Sequence, residues 1–128
     1  MNQTIKSKEF ILAYFNAMSN NEVTPELLAH WISDPKLIEH ILFFETVFPK
    51  YTMETDDIIA EGNQVVVRAR VIGKHEGALG DIMPTHRNVN VPAVICYVIE
   101  NDKIVSHWLI SDQMLLMEQL GVEPVGAS

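Results

Sequence analysis

The sequence predicts an α+β domain, with N-terminal helices laid against one face of a mostly antiparallel sheet and a short helix closing the chain. Three observations carry that expectation. Apolar residues recur at helical spacing as far as residue 50 and at every second position from Tyr51 onward. A cap-then-proline start signal occurs twice in the first part. In the last third, two strand-like runs meet at the polar turn Glu100 to Lys103, and the second runs straight into a helical pattern.

In chain order, Phe10, Ile11, Tyr14, Phe15 and Met18 form the apolar stripe of a helix over Ser7 to Asn20, with Thr4 or Ser7 as cap. Thr24-Pro25-Glu26 opens a short helix with Leu27, Leu28, Trp31 and Ile32 on its apolar side. Ser33-Asp34-Pro35 opens a third, running to Phe48, which Pro49 stops. Thr52 to Ala60 reads as a strand and Glu61-Gly62-Asn63 as a turn. The strand Gln64 to His75 sends Val65, Val67, Ala69, Val71 and His75 to one side. A Gly- and Pro-bearing loop from Glu76 to Asn88 comes next, of the kind that rims a binding site. Val89, Val91, Ala93, Ile95, Tyr97 and Ile99 then share a face. The last strand puts Val105, His107, Leu109 and Ser111 on one face and Ile104, Ser106, Trp108 and Ile110 on the other. Ser111 or Asp112 caps a helix with Met114, Leu115, Met117 and Leu120 inward and Gly121 at its end.

The length of 128 residues suits one hydrophobic core, divided as a helical part over 1–50, a sheet with closing helix over 51–121, and a loose tail over 122–128. A net charge of −8 repels phosphate backbones, so nucleic acid is not an expected partner. Apolar runs are too short for a membrane span, and the N-terminus lacks a signal-peptide pattern. The lone Cys96 fits a reducing compartment, and the cytoplasm is the expected location. No spaced His/Cys set, phosphate loop or dinucleotide fingerprint stands in the chain, so neither a metal nor a cofactor is expected. The second sheet face carries Val94, Cys96, Val98, Trp108 and Ile110, an apolar patch that predicts a homodimer through that face.

Histidines on apolar parity are the candidate chemical groups. His107 is either a pocket acid/base or a core histidine satisfied by a neighbour, and His75 either a ligand group or a loop-stabilising one. Asp112 has the residue type of an N-cap, the alternative being a base with a raised pKa in an apolar cavity. Tyr14 and Trp31 carry polar handles that need a partner when buried, and Met83, Ile95, Tyr97 and Leu109 join them as expected cavity lining. His30 and His40, on helices, are expected to face solvent.

The segments IIAEGNQVVVR (58–68), GKHEG (73–77), MPTHR (83–87), NDKIVSHW (101–108) and EQLG (118–121) resemble the SnoaL-like polyketide cyclases and "ester cyclases". The resemblance covers roughly the C-terminal half. It implies the cone-shaped fold of ketosteroid isomerase, scytalone dehydratase and nuclear transport factor 2, a curved, mixed but mostly antiparallel sheet with the N-terminal helices in its concave face. It also places His107 and His75 at histidine positions of the family. The family's general-base aspartate falls at Leu109, its second active-site histidine at about Ile95, and an arginine common in it at Val98; neither leucine nor isoleucine can move a proton. The resemblance therefore implies an apolar pocket for a small hydrophobic ligand or substrate. That pocket serves a cofactor-free cyclase, isomerase or lyase using His107, His75 or Asp112, or else a binding protein without turnover. A purely structural dimerisation domain is the third reading.

Overall fold

The computed structural model describes residues 2–122, apart from the side chain of Asn20. Three helices come first: α1 (Gln3–Asn20), α2 (Pro25–Trp31) and α3 (Pro35–Val47). Four strands come after them, β1 (Thr52–Glu61), β2 (Gln64–Lys74), β3 (Asn88–Glu100) and β4 (Lys103–Ser111), and then α4 (Gln113–Leu120). The sheet order is β1-β2-β3-β4 with every neighbour antiparallel, so the expected "mixed" sheet is antiparallel in all its named strands. Its one parallel element is an isolated bridge between Ile32 and Ile104. The expected α+β cone is what the chain forms. The tail beyond residue 122 lies outside the described residues.

Local chemistry sets the helix starts. Thr24 Oγ1 accepts from Leu27 N–H at 3.1 Å, and Asp34 accepts from Lys36 N–H and Leu37 N–H, with proline at the first helical position in both cases. α1 starts earlier than its spacing suggested, because Asn2 is its cap and accepts from Ile5 N–H. Thr4 and Ser7, the expected caps, hold the β1–β2 turn instead. Gly62 N–H donates to Thr4 Oγ1 and Ser7 Oγ donates to Gly62 C=O, each at 2.8 Å. Two polar side chains thus fix α1 against the end of the sheet it covers.

The core lies between the helices and the sheet face carrying Val65, Val67, Ala69, Ala93, Ile95, Tyr97 and Ile99, against which Ile11, Tyr14, Leu28, Leu37 and Ile41 pack. A smaller cluster joins Val47 and Phe48 to Val89, Val91, Leu116 and Leu120. Ile104 departs from its expected parity and is 0% exposed. Val98 pairs with Ser106 but Ile99 pairs with Ile104, so Val105 is the extra residue of a β-bulge. One inserted residue turns the first part of β4 over, while His107, Leu109 and Ser111 stay opposite Tyr97, Ile95 and Ala93. In α4, Leu116 rather than Met114 faces inward, and Met114 is exposed.

β4 ends opposite Ala93, which leaves residues 88–92 of β3 without a strand on that side. The chain closes this edge itself. Gln119 accepts from Asn90 N–H at 2.7 Å and donates to Asn90 C=O at 3.0 Å, and Asp112 N–H donates to Pro92 C=O. Pro92 has no N–H to leave unpaired there.

Candidate active site

Between α3, the β3–β4 face and α4 lies a cavity of about 110 Å3. That is of the order of the engineered apolar cavity of roughly 150 Å3 that takes a benzene molecule in another protein. Its wall is mainly apolar, with Leu37, Ile41, Phe44, Val91, Ile95 and Leu109 among the lining residues. Tyr14, His40, Tyr51, Tyr97, Ser111 and Gln113 supply its polar atoms. A second depression, between α1 and the β3–β4 turn, is wide, open and polar, lined by Gln3, Lys6, Glu100 and Asp102 among others. A concave apolar cavity with a few convergent polar groups is the ordinary form of a small-molecule site, so the first is the candidate.

Three tyrosines from three parts of the chain meet there. Tyr14 comes from α1, Tyr97 from β3 and Tyr51 from the link into β1; the rings of Tyr14 and Tyr97 lie edge to face with centroids 6.0 Å apart. Burial pushes all three phenol pKa values well up. The neighbouring Tyr51 adds to this for Tyr14, Glu45 for Tyr51, and Tyr14 and Tyr51 for Tyr97. The hydroxyls are therefore protonated donors at neutral pH. Among the described residues none of the three hydroxyls has a hydrogen-bond partner, and all three residues line the cavity, Tyr14 and Tyr51 also lining a smaller pocket beside Glu45.

Of the residues the sequence pointed to, Tyr14, Ile95, Tyr97 and Leu109 line this cavity. Ile95 and Leu109 are direct cross-strand partners. The other expected site residues stand elsewhere. Met83 is 72% exposed on the 75–87 loop. Trp31 packs against Phe10, Tyr14 and His30, with its Nε1 buried and without a partner. Asp112 is exposed and caps α4 by accepting from Leu115 N–H at 2.9 Å. His75 is fully buried beyond the cavity against Phe48; its Nδ1 accepts from Thr85 N–H at 3.1 Å, which fixes the loop.

His107 is turned toward the head of α3. Its Nδ1 lies 2.7 Å from Asp34 Oδ2, with side-chain exposures of 15% and 11%. Asp34 is brought there by the backbone, since Ser33 N–H and Asp34 N–H both donate to Ile104 C=O. Burial works to raise the Asp34 pKa, but the hydrogen bonds from His107, Leu37 and Lys36 and the His107 charge outweigh it, and the carboxyl is lowered. His107 and His75 thus share a parity with the cavity yet occupy separate sites.

His40 and Tyr51 are the titratable lining groups not expected at the site from the sequence. His40 is exposed, as expected of it, but stands on the Leu37-Ile41-Phe44 stripe at the rim and stacks on Phe44 at 6.0 Å. That i, i+3, i+4, i+7 stripe was the available signal. Among the described residues no three His, Cys, Asp or Glu side chains converge as metal ligands, and no helix is long and apolar enough to cross a membrane.

A search of curated proteins finds no match for the sequence. Among solved structures, AclR from Streptomyces galilaeus superimposes with a TM-score of 0.78 at 22% identity, over 92% of this chain and 82% of its own. A Jannaschia protein gives 0.78 at 18% identity over 97% of both chains. A SnoaL-like polyketide cyclase from Agrobacterium tumefaciens gives 0.74 at 17%, over 90% of this chain and 98% of its own. At such identities these likenesses carry the fold. The family model of the SnoaL-like polyketide cyclases matches residues 32–120, most of the chain and all of the sheet. The chain belongs to the SnoaL-like polyketide cyclase family.

Proposed function

We propose that the cavity takes a small hydrophobic carbonyl compound and performs cofactor-free acid–base chemistry on it, of the cyclase, isomerase or lyase kind. The observation that supports this most directly is the set of three tyrosines that line an apolar cavity with their hydroxyls protonated and unpartnered. Donors of that kind, held by a packed apolar wall, are suited to an oxygen that gains negative charge. Membership of a cyclase family agrees with it. The protein is further proposed to work in the cytoplasm as a homodimer, joined through the sheet face on which Trp108 and Ile110 are exposed.

A second reading has its own support. Leu109 and Ile95 stand in the cavity where the family resemblance puts an acid/base pair, which favours a protein that binds its ligand without turning it over. Acetophenone, an apolar ketone of suitable size, serves as the probe. It should bind saturably by NMR, and Tyr14→Phe or Tyr97→Phe should each weaken it about fivefold, as expected for one hydrogen bond of about 1 kcal/mol. Unchanged affinity in both variants would remove the hydroxyls from ligand recognition.

A further inference from the structure

We infer that His40 is the proton acceptor of this cavity, taking a proton from the carbon beside the ligand's carbonyl group. The inference rests on the acid–base reading above. It starts from which lining side chains can accept a proton at all. Among the described residues the titratable groups lining the cavity are Tyr14, Tyr51, Tyr97 and His40. The three phenols hold their protons far beyond neutrality, which leaves the imidazole.

The remaining histidines have other positions. His107 is engaged by Asp34, His75 by Thr85, and His30 and His86 are exposed away from the lining. His40 alone joins the lining, and among the described residues neither of its ring nitrogens has a hydrogen-bond partner. Its ring lies at 23° to that of Phe44, a stacked contact that sets its plane through an apolar neighbour and leaves both nitrogens open.

Its electrostatic setting suits a base. The charge that acts on it is that of His107 from β4; the phenols of Tyr14, Tyr51 and Tyr97 share the lining, Lys36 and Glu39 are its charged neighbours along α3, and Gln113 from α4 is neutral. Partial burial at the rim lowers the His40 pKa, and the positive charge of His107 lowers it further. The imidazole is thus unprotonated at neutral pH, the state a general base needs. In the step itself the C–H bond beside the carbonyl breaks and its proton passes to His40. The bonding pair forms the C=C of an enolate, and the charge on oxygen meets the tyrosine hydroxyls. Return of the proton to the same or a conjugated carbon closes the cycle without a co-reactant.

The test is hydrogen–deuterium exchange at the methyl group of acetophenone in heavy water, followed by NMR. The wild-type protein should accelerate exchange, with a rate that rises with pH and levels off below the ordinary histidine value of about 6.5. His40→Gln should reduce the enzymatic rate by about 10²–10⁴-fold, the usual contribution of a general base, with acetophenone affinity within about twofold. His30→Gln, an exposed histidine on α2, should leave both unchanged. Exchange that survives in His40→Gln overturns the assignment and leaves the acid–base reading standing. Binding by wild type without any exchange overturns the acid–base reading and His40 with it. No binding overturns the carbonyl cavity itself.

Discussion

Asp34 performs two tasks whose energies separate by substitution. Its carboxylate caps α3, accepting from Lys36 N–H at 3.0 Å and Leu37 N–H at 3.4 Å, and its second oxygen meets His107 at 2.7 Å. An N-cap lost to alanine costs about 1 kcal/mol. A hydrogen bond to a charged carboxylate contributes about 1.5–3 kcal/mol, and both side chains are largely covered, so solvent screening takes only part of it. Asp34→Ala should therefore destabilise by about 3 kcal/mol, the sum of the two. Asp34→Asn keeps the cap and a neutral acceptor, and should cost only about 1 kcal/mol. For a chain of this length, 1 kcal/mol moves Tm by roughly 4 °C, so the expected losses are about 12 °C and 4 °C.

The charge has a pH signature. The folded Asp34 carboxyl binds its proton less readily than the unfolded one, so its contribution is complete above the unfolded pKa of about 3.9 and disappears as pH falls through the folded value. Urea midpoints of wild type and Asp34→Asn should differ at pH 6 and draw together as pH falls below about 3.9. Equal losses for alanine and asparagine, or a wild-type advantage constant down to pH 3, would refute the division of labour.

The bulge at Val105 gives opposite outcomes for two isoleucines that simple alternation places on one face. Ile104→Ala should cost about 2–5 kcal/mol as a buried truncation, whereas Ile110→Ala, at 67% exposure, should stay within about 0.5 kcal/mol in the monomer, measured by urea denaturation. Gly77 is needed for close approach. A Cβ there would lie 1.9 Å from Thr46 C=O, so Gly77→Ala must displace the bonds from Glu76 N–H and Gly77 N–H to Val47 C=O, at a cost of about 1–3 kcal/mol in thermal unfolding. Trp108→Glu, at a position 49% exposed, should leave the Tm of the monomer nearly unchanged and halve the mass seen by light scattering; a wild-type monomer would exclude the proposed dimer.

Much of the fold was legible because its signals are local. Thr24-Pro25 and Asp34-Pro35 supply a cap and a pre-set backbone angle within two residues, and the alternation in β3 from Val89 to Ile99 comes from its having one face on the core. Parity also led to Ile95, Tyr97 and Leu109, and the polar handle on a helical stripe led to Tyr14. Parity misled at Ile104, where the bulge is set by how β4 meets β3; the cap signal misled at Ser7, whose hydroxyl is used by a turn 55 positions away. Parity states a face and not a position along it. His75 and His107 therefore share a parity with the tyrosines while lying outside the cavity that those tyrosines line. Tyr51 carries no pattern of its own, because the irregular link between α3 and β1 delivers it.

The Gln119 side chain, paired with both polar groups of Asn90, stands in for a missing strand. A peptide edge left open at 88–92 would be a template on which another chain could add, and the amide together with Pro92 removes that possibility. The same pairing latches α4. Swinging this helix outward to admit a bulkier guest would strip Asn90 and Pro92 of their partners and bare an adhesive edge. The head of α3 is likewise tied to β4 through Ile104, so a guest should pass between these two fastenings, at His40 and Phe44, while α4 stays shut.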